Sequence, residues 1–251
     1  MRRAFTIIDL LITISITGIV MTLTLPAMQA ARWKGLEIKC LSNMRQTGVV
    51  LFAYAAANKD HIPFQGWEPR TIHIQGLPPI RMGHPTGNSI MTGRWSFLFP
   101  EEWSGQARWN PGLQCPKQPR YDPDSPFTTG ALRWEHERPT PTYEFSFALY
   151  NRADTMGAGN TPADFRIGPN KISDATFPSA KVYLFEFPAF CMSDPVARSL
   201  ALDIGRSTTP RTSIMTMDGA VRRFAAKDAI DYPERGETYS TVNGIWGRDI
   251  P

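Results

Sequence analysis

The chain has 251 residues, 42% of them hydrophobic, a formal net charge of +4, 22 prolines and 19 glycines. That length accommodates one membrane helix and one globular head with its own core, and the proline and glycine content argues against an all-helical head and for turns and short strands. The basic residues are scattered, so no nucleic-acid partner is expected. The three cysteines, Cys40, Cys115 and Cys191, form no C-x-x-C pair and so indicate neither a zinc site nor a dense disulfide framework.

Residues 5–25 form an apolar run of 21 residues interrupted by one carboxylate, Asp9. About 20 such residues, rising about 1.5 Å each, match a hydrocarbon layer about 30 Å thick, which predicts a membrane-crossing helix. A carboxylate inside such a helix costs roughly 2.5 to 3.5 kcal/mol on insertion scales, so Asp9 is expected to have a functional partner. The alternative is a cleaved secretory signal. Against it, the run is longer than a usual signal core, no A-x-A-like cleavage site follows, and a helical pattern continues to about residue 57.

The residues Arg2-Arg3-Ala4-Phe5-Thr6-Ile7-Ile8-Asp9-Leu10-Leu11 resemble the N-terminal class III signal of type IV pilins and of the pseudopilins of type II secretion. In that family a basic leader ends in Gly, a prepilin peptidase cuts before a Phe and methylates its nitrogen, and a Glu lies five residues into the mature chain. The resemblance implies cleavage and methylation between Ala4 and Phe5, with Ala4 standing where the family has Gly and Asp9 one methylene shorter than the family's Glu. It also implies, as partners, prepilin peptidase, other pilin or pseudopilin subunits and the inner-membrane assembly platform. Pro26 falls where many pilin helices carry a kinking proline.

Within the membrane run Thr6, Thr13, Thr17 and Thr24 are spaced by seven, four and seven residues, which keeps them within about 40° of arc at 100° per residue. Two readings of this polar stripe stay open. It lets helices approach and hydrogen-bond across an assembly interface in lipid, or each hydroxyl bonds a carbonyl one turn back in its own helix.

Beyond Pro26, Trp33, Leu36, Cys40, Met44, Thr47, Leu51 and Ala55 recur at three- or four-residue spacing while Arg32, Lys34, Lys39 and Arg45 fall largely elsewhere, the pattern of an amphipathic helix with one face to bury. The stretch from Cys40 through Asn43 and Gln46 to Gly48 resembles the C-x-N-L-x-Q-x-G segment of the large pilin-like proteins of planctomycetes and related bacteria. Residues 59–112 then read as an irregular, loop-rich region, with Trp95, Phe97 and Phe99 alternating as a strand would. His61, His73, His84 and His136 lack metal-ligand spacing, and Asp122 and Asp124 lack the remaining positions of a calcium loop. No cofactor is expected, and the question of a metal stays open.

The strands of the head are expected at residues 143–150, 181–187 and 212–224, the last interrupted by a hairpin turn at Asp218-Gly219 of type I′, which requires positive φ at both central residues. These pieces also resemble the planctomycete-type heads: Gln114-Cys115-Pro116 their C-P element, residues 182–187 an apolar strand, and residues 215–221 a D-G hairpin. Many members place a His ten residues before that Asp, where this chain has Thr208. If the head lies in an oxidising compartment, a bridge between Cys40 and Cys115 would pin helix to head, with Cys191 an equal alternative partner.

No G-x-S-x-G, H-E-x-x-H or phosphate-cradling glycine loop is present, and an enzyme is not expected. The expected architecture is α+β: a leader over residues 1–4, a helix over 5–58 (5–25 in the membrane, 26–58 amphipathic), the irregular region over 59–112, and a β-rich head over 113–251 packed as an antiparallel sheet against the helix. The expected function is a pilin-like structural subunit of a type IV pilus or a type II secretion pseudopilus, single-pass in the bacterial inner membrane with its head in the periplasm. The alternative is a monomeric, membrane-anchored binding module for envelope glycans, using the tryptophan-rich stretch that holds Trp67, Trp95, Trp103 and Trp109.

Overall fold

The computed structural model describes residues 7–64, 70–73, 80–82, 95–99, 101, 103–104, 108–116, 143–146, 149–150, 168–186, 211–225, 228–230 and 244–251. The chain divides into two compact units, Met1–Ile38 and Lys39–Pro251. One long apolar helix, α1 (Ile7–Ala57), begins in the first and ends in the second, and the second also holds a four-stranded antiparallel sheet, so the class is α+β. Pro26 lies inside α1 without ending it, although it removes one backbone hydrogen bond there.

The C-terminus of α1 is closed without glycine. Lys59 and Asp60 both adopt left-handed φ, +56° and +68°, and the Asp60 N–H donates to the Ala55 carbonyl at 2.8 Å, the six-to-one bond of a Schellman end. Asp60 then anchors the exit: its carbonyl accepts from Ile172 N–H and its Oδ2 from Ser173 N–H, each at 2.9 Å. The chain leaves the helix aimed at residues 170–174, where the Ile62 N–H donates to Asn170 O.

Two small hairpins follow, β1 (Arg70–Ile72) with β2 (Ile80–Met82) and β3 (Trp103–Ser104) with β4 (Arg108–Trp109). The main sheet consists of β5 (Tyr143–Phe145), β6 (Val182–Glu186), β7 (Arg211–Thr216) and β8 (Val221–Ala225), each antiparallel to its neighbour in that order.

The face of α1 that packs in this unit carries Cys40, Asn43, Met44, Thr47, Gly48, Leu51 and Ala55, spaced by three and four residues as one helical stripe. It joins one core cluster with Tyr143 and Phe145 of β5, Tyr183 and Leu184 of β6, and Met215 of β7. Tyr183 and Leu184 are successive, yet both enter this cluster, because the β6–β7 register shifts between Val182 and Leu184. Such a bulge sets two residues of one strand opposite one of its partner. Aromatic rings fill the centre: Phe145 lies 5.1 Å from Tyr183, 5.4 Å from Trp95 and 5.7 Å from Tyr150 between centroids. A second, smaller cluster gathers Val182, Ile214 and Ile250 with Phe185 and Phe224.

Three expectations change here. Residues Trp95–Leu98 form a 3-10 turn, not a strand: Trp95 and Phe99 are both buried and meet edge to face at 5.9 Å, as side chains four apart do on a helical turn. The expected strand at 143–150 stops at Phe145, and Leu149 N–H turns back to Ser146 O. The hairpin forms where expected, but its turn is not type I′. Only Gly219 of its residues has positive φ, at +84°, and Gly219 N–H donates to Thr216 O, the geometry of a three-residue loop ending in a glycine bulge. Asp218 holds it through Oδ1, which accepts from Thr216 Oγ1 and from Ala220 N–H.

Candidate functional site

Two places carry chemistry that the core does not require: the N-terminal segment of α1, and a cysteine cluster in the head. In the first unit the most apolar 18-residue window of the helix has none of its residues buried. Leu10, Leu11 and Ile12 are 54%, 54% and 53% exposed. Successive helical residues point about 100° apart, so the segment is bare on every face, and apolar except along the threonine stripe. One helix long and apolar enough to cross a membrane is thus present, near the N-terminus.

Asp9 stands in the first described turn of this helix and is exposed. The neighbouring hydroxyls donate into their own helix: Thr13 Oγ1 to Asp9 O and Thr17 Oγ1 to Thr13 O, both at 2.7 Å, and Thr24 Oγ1 to Met21 O at 3.2 Å. Of the two readings of the threonine stripe, the intrahelical one accounts for the donors. The oxygen lone pairs of Thr13 and Thr17 keep their capacity to accept. Ala4, Phe5 and Thr6 lie outside the described residues, as do Asp122, Asp124, Thr208 and Cys191.

In the head, α1 is fastened to the segment around Pro111–Leu113 by polar side chains. Asn43 Nδ2 donates to Gln114 O, and Thr47 Oγ1 to Leu113 O at 3.3 Å. The expected bridge between Cys40 and Cys115 is absent: Cys40 is a free, buried thiol, and Cys115 is already disulfide-bonded. The two sulfurs and a Glu186 carboxylate oxygen nevertheless lie within 4.8 Å of one another. Tyr143 Oη sits 3.4 Å from Cys40 Sγ and donates to Cys40 O at 2.9 Å, and Ser213 Oγ lies 3.7 Å from the thiol.

Burial first, and then the Glu186 charge, pushes the Cys40 thiol up to about 12, against smaller opposing effects of Tyr143, Ser213 and Arg223. The same burial, with Cys40 and Glu186 alongside, raises the Tyr143 phenol well above its ordinary range. Glu186 Oε2 faces Arg223 Nη1 at 3.7 Å. Two thiolates and a carboxylate would suit a zinc-like ion, but the Cys115 sulfur is spent in a disulfide, so this state of the cluster lacks that donor set.

Trp95, one of the four tryptophans of the glycan-binding alternative, is 1% exposed and donates its indole N–H to Tyr143 O at 2.9 Å. It is core, not a binding platform. Sequence reasoning missed Glu186 as a buried polar group, since it stands in no motif of polar residues; Asn43 figures only within the Cys40–Gly48 resemblance, and its three-residue spacing from Cys40 could have placed it on the buried face. Comparison of the chain with protein-family models, with curated proteins and with solved structures finds no match in any of the three.

Proposed function

We propose that the chain is a pilin-like structural subunit, cut by prepilin peptidase between Ala4 and Phe5 and assembled through α1 into a type IV pilus or a secretion pseudopilus. The observation that carries the proposal is the change of character along α1. Its front part leaves apolar side chains exposed all round except for a threonine stripe and one carboxylate, Asp9, while its rear part buries a single stripe in the head core. Lipid is one cover for such a front part; like helices in a polymer are another.

Cleavage creates a new α-amino group at Phe5, four residues from Asp9. An α-amino group is largely protonated at neutral pH, and methylation keeps its charge. In the bilayer a subunit's own amine near the interface offsets the Asp9 charge; in the polymer the carboxylate pairs with the amine of a neighbour. Favourable addition then follows from leaving no buried charge without its counter-ion, since breaking one side of such a pair costs about 3–5 kcal/mol.

The test is the mass of the membrane-extracted protein from its native host. The proposal expects an N-terminal peptide beginning with methylated Phe5. An intact Met1 end, or a cut near residues 27–31, refutes it.

A further inference from the structure

The cysteine cluster holds a free thiol against one end of a disulfide. Cys40 Sγ on α1 and Cys115 Sγ lie within 4.8 Å of each other, both buried, and Cys115 is the bonded member. A disulfide bond is about 2.05 Å long, so the gap left to close is under about 3 Å, the scale of a side-chain rotation. The segment bearing Cys115 is already docked on α1 through Asn43 and Thr47, which holds the two backbones together beside the sulfurs.

We propose that Cys40 is the internal exchange partner of the Cys115 disulfide, so that attack of the Cys40 sulfur on Cys115 Sγ moves the bridge to Cys40–Cys115 and tethers α1 covalently to the head. One S–S bond forms as another breaks. The electron pair of the broken bond passes to the leaving sulfur, which takes up the proton that Cys40 gives up, and no oxidant or reductant is consumed. The sequence offers one cysteine for the leaving role, Cys191.

The surroundings of Cys40 act as a brake. Only the thiolate attacks, and the groups facing this thiol are Tyr143 on β5, Glu186 on β6, Ser213 on β7 and Arg223 on β8. Burial and Glu186 keep it protonated at neutral pH; Arg223, which reaches Ser213 Oγ at 3.2 Å and Glu186 Oε2 at 3.7 Å, offsets part of the acidic charge. Raising the pH exposes the reaction, because below its pKa the thiolate fraction grows about tenfold per pH unit.

The experiment uses the full-length oxidised protein in detergent, incubated at pH 7 or pH 9, quenched in acid, then denatured and alkylated so that peptide mapping shows which cysteine was free. The expected result is label on Cys40 at the outset and a transfer of label to Cys191 whose initial rate is about 100-fold higher at pH 9 than at pH 7, unchanged by tenfold dilution. Refolded with glutathione disulfide as the two-electron oxidant, the Cys191→Ser variant should form a Cys40–Cys115 bridge with no free thiol, and Cys40→Ser should show no transfer. Label that stays on Cys40 after prolonged incubation at pH 9 overturns the proposal. So does a transfer rate that falls with dilution, or a folded, oxidised Cys191→Ser chain with two free thiols. If Cys191→Ser fails to fold, the wild-type mapping alone decides.

Discussion

Replacing Asp249 with Ala removes the carboxylate from the most deeply buried ion pair among the described residues. Lys181 Nζ meets Asp249 Oδ1 at 2.9 Å with both side chains fully buried, and Asp249 Oδ2 accepts the Val182 N–H at 2.9 Å. The pair therefore fixes the start of β6 to the segment around Asp249, whose N–H also bonds Ala180 O. Removing one member of a buried pair costs about 3–5 kcal/mol, which for a domain of 150–250 residues is a fall in Tm of about 6–20 °C at about 2–4 °C per kcal/mol. The pH dependence has a definite sign. Burial depresses the Lys181 ammonium below its ordinary value, and Asp249 opposes that depression. Without Asp249 the folded-state pKa drops further, the unfolded chain binds more protons below its own Lys pKa of about 10.4, and stability rises with pH through that window. Urea unfolding at pH 7 and pH 10 should show a deficit against wild type that narrows at pH 10. A loss below about 1 kcal/mol, or a deficit that widens at pH 10, refutes the assignment.

Two further substitutions probe the helix-to-sheet packing. The Tyr183 hydroxyl is buried with no hydrogen-bond partner among the described residues, and a desolvated unmatched polar group costs about 1–3 kcal/mol. Tyr183→Phe, which keeps the ring against Phe52 and Phe145, should therefore raise the urea midpoint or leave it unchanged; a fall of more than about 1 kcal/mol would expose a missed partner. Gly48→Ala gains about 1 kcal/mol of helix propensity, but its new methyl would sit 2.9 Å from Met215 Cε in a core that leaves Met215 1% exposed. Overpacking costs about 1–3 kcal/mol, so a net loss is expected, and the same change made in a Met215→Ala background should no longer destabilise relative to that background. Stabilisation by Gly48→Ala alone contradicts the close approach.

What could be read from the sequence follows the range over which each signal acts. Three- and four-residue spacing from Cys40 to Ala55 is local and found the buried stripe of α1, and the apolar run at residues 182–187 found β6. Asp218-Gly219 found the hairpin but not its turn type, because the loop is set by Asp218 Oδ1 bonding Thr216 and Ala220, which a two-residue signal does not encode. The alternation Trp95, Phe97, Phe99 misled because positions four apart satisfy a strand and a helical turn equally. Lys181 and Asp249 are 68 residues apart, and no spacing rule joins them. The cysteine pairing failed for a related reason: Cys40 and Cys115 are indeed brought together, yet proximity alone does not select which of three sulfurs bond. Within the front of α1, length and composition foresaw a bare apolar helix, and the threonine donors went to the carbonyls of their own helix because those acceptors are always within reach.

The proposal that this chain assembles through α1 rests most directly on Asp9, and crosslinking in native, detergent-free membranes tests it. Wild type should give a ladder of oligomers and Asp9→Glu should keep it. Asp9→Ala should insert and be cleaved at Phe5 yet lose most of the ladder, since its neighbour's amine would have no carboxylate to meet in the apolar contact. Ladders of equal intensity for wild type and Asp9→Ala would contradict the account.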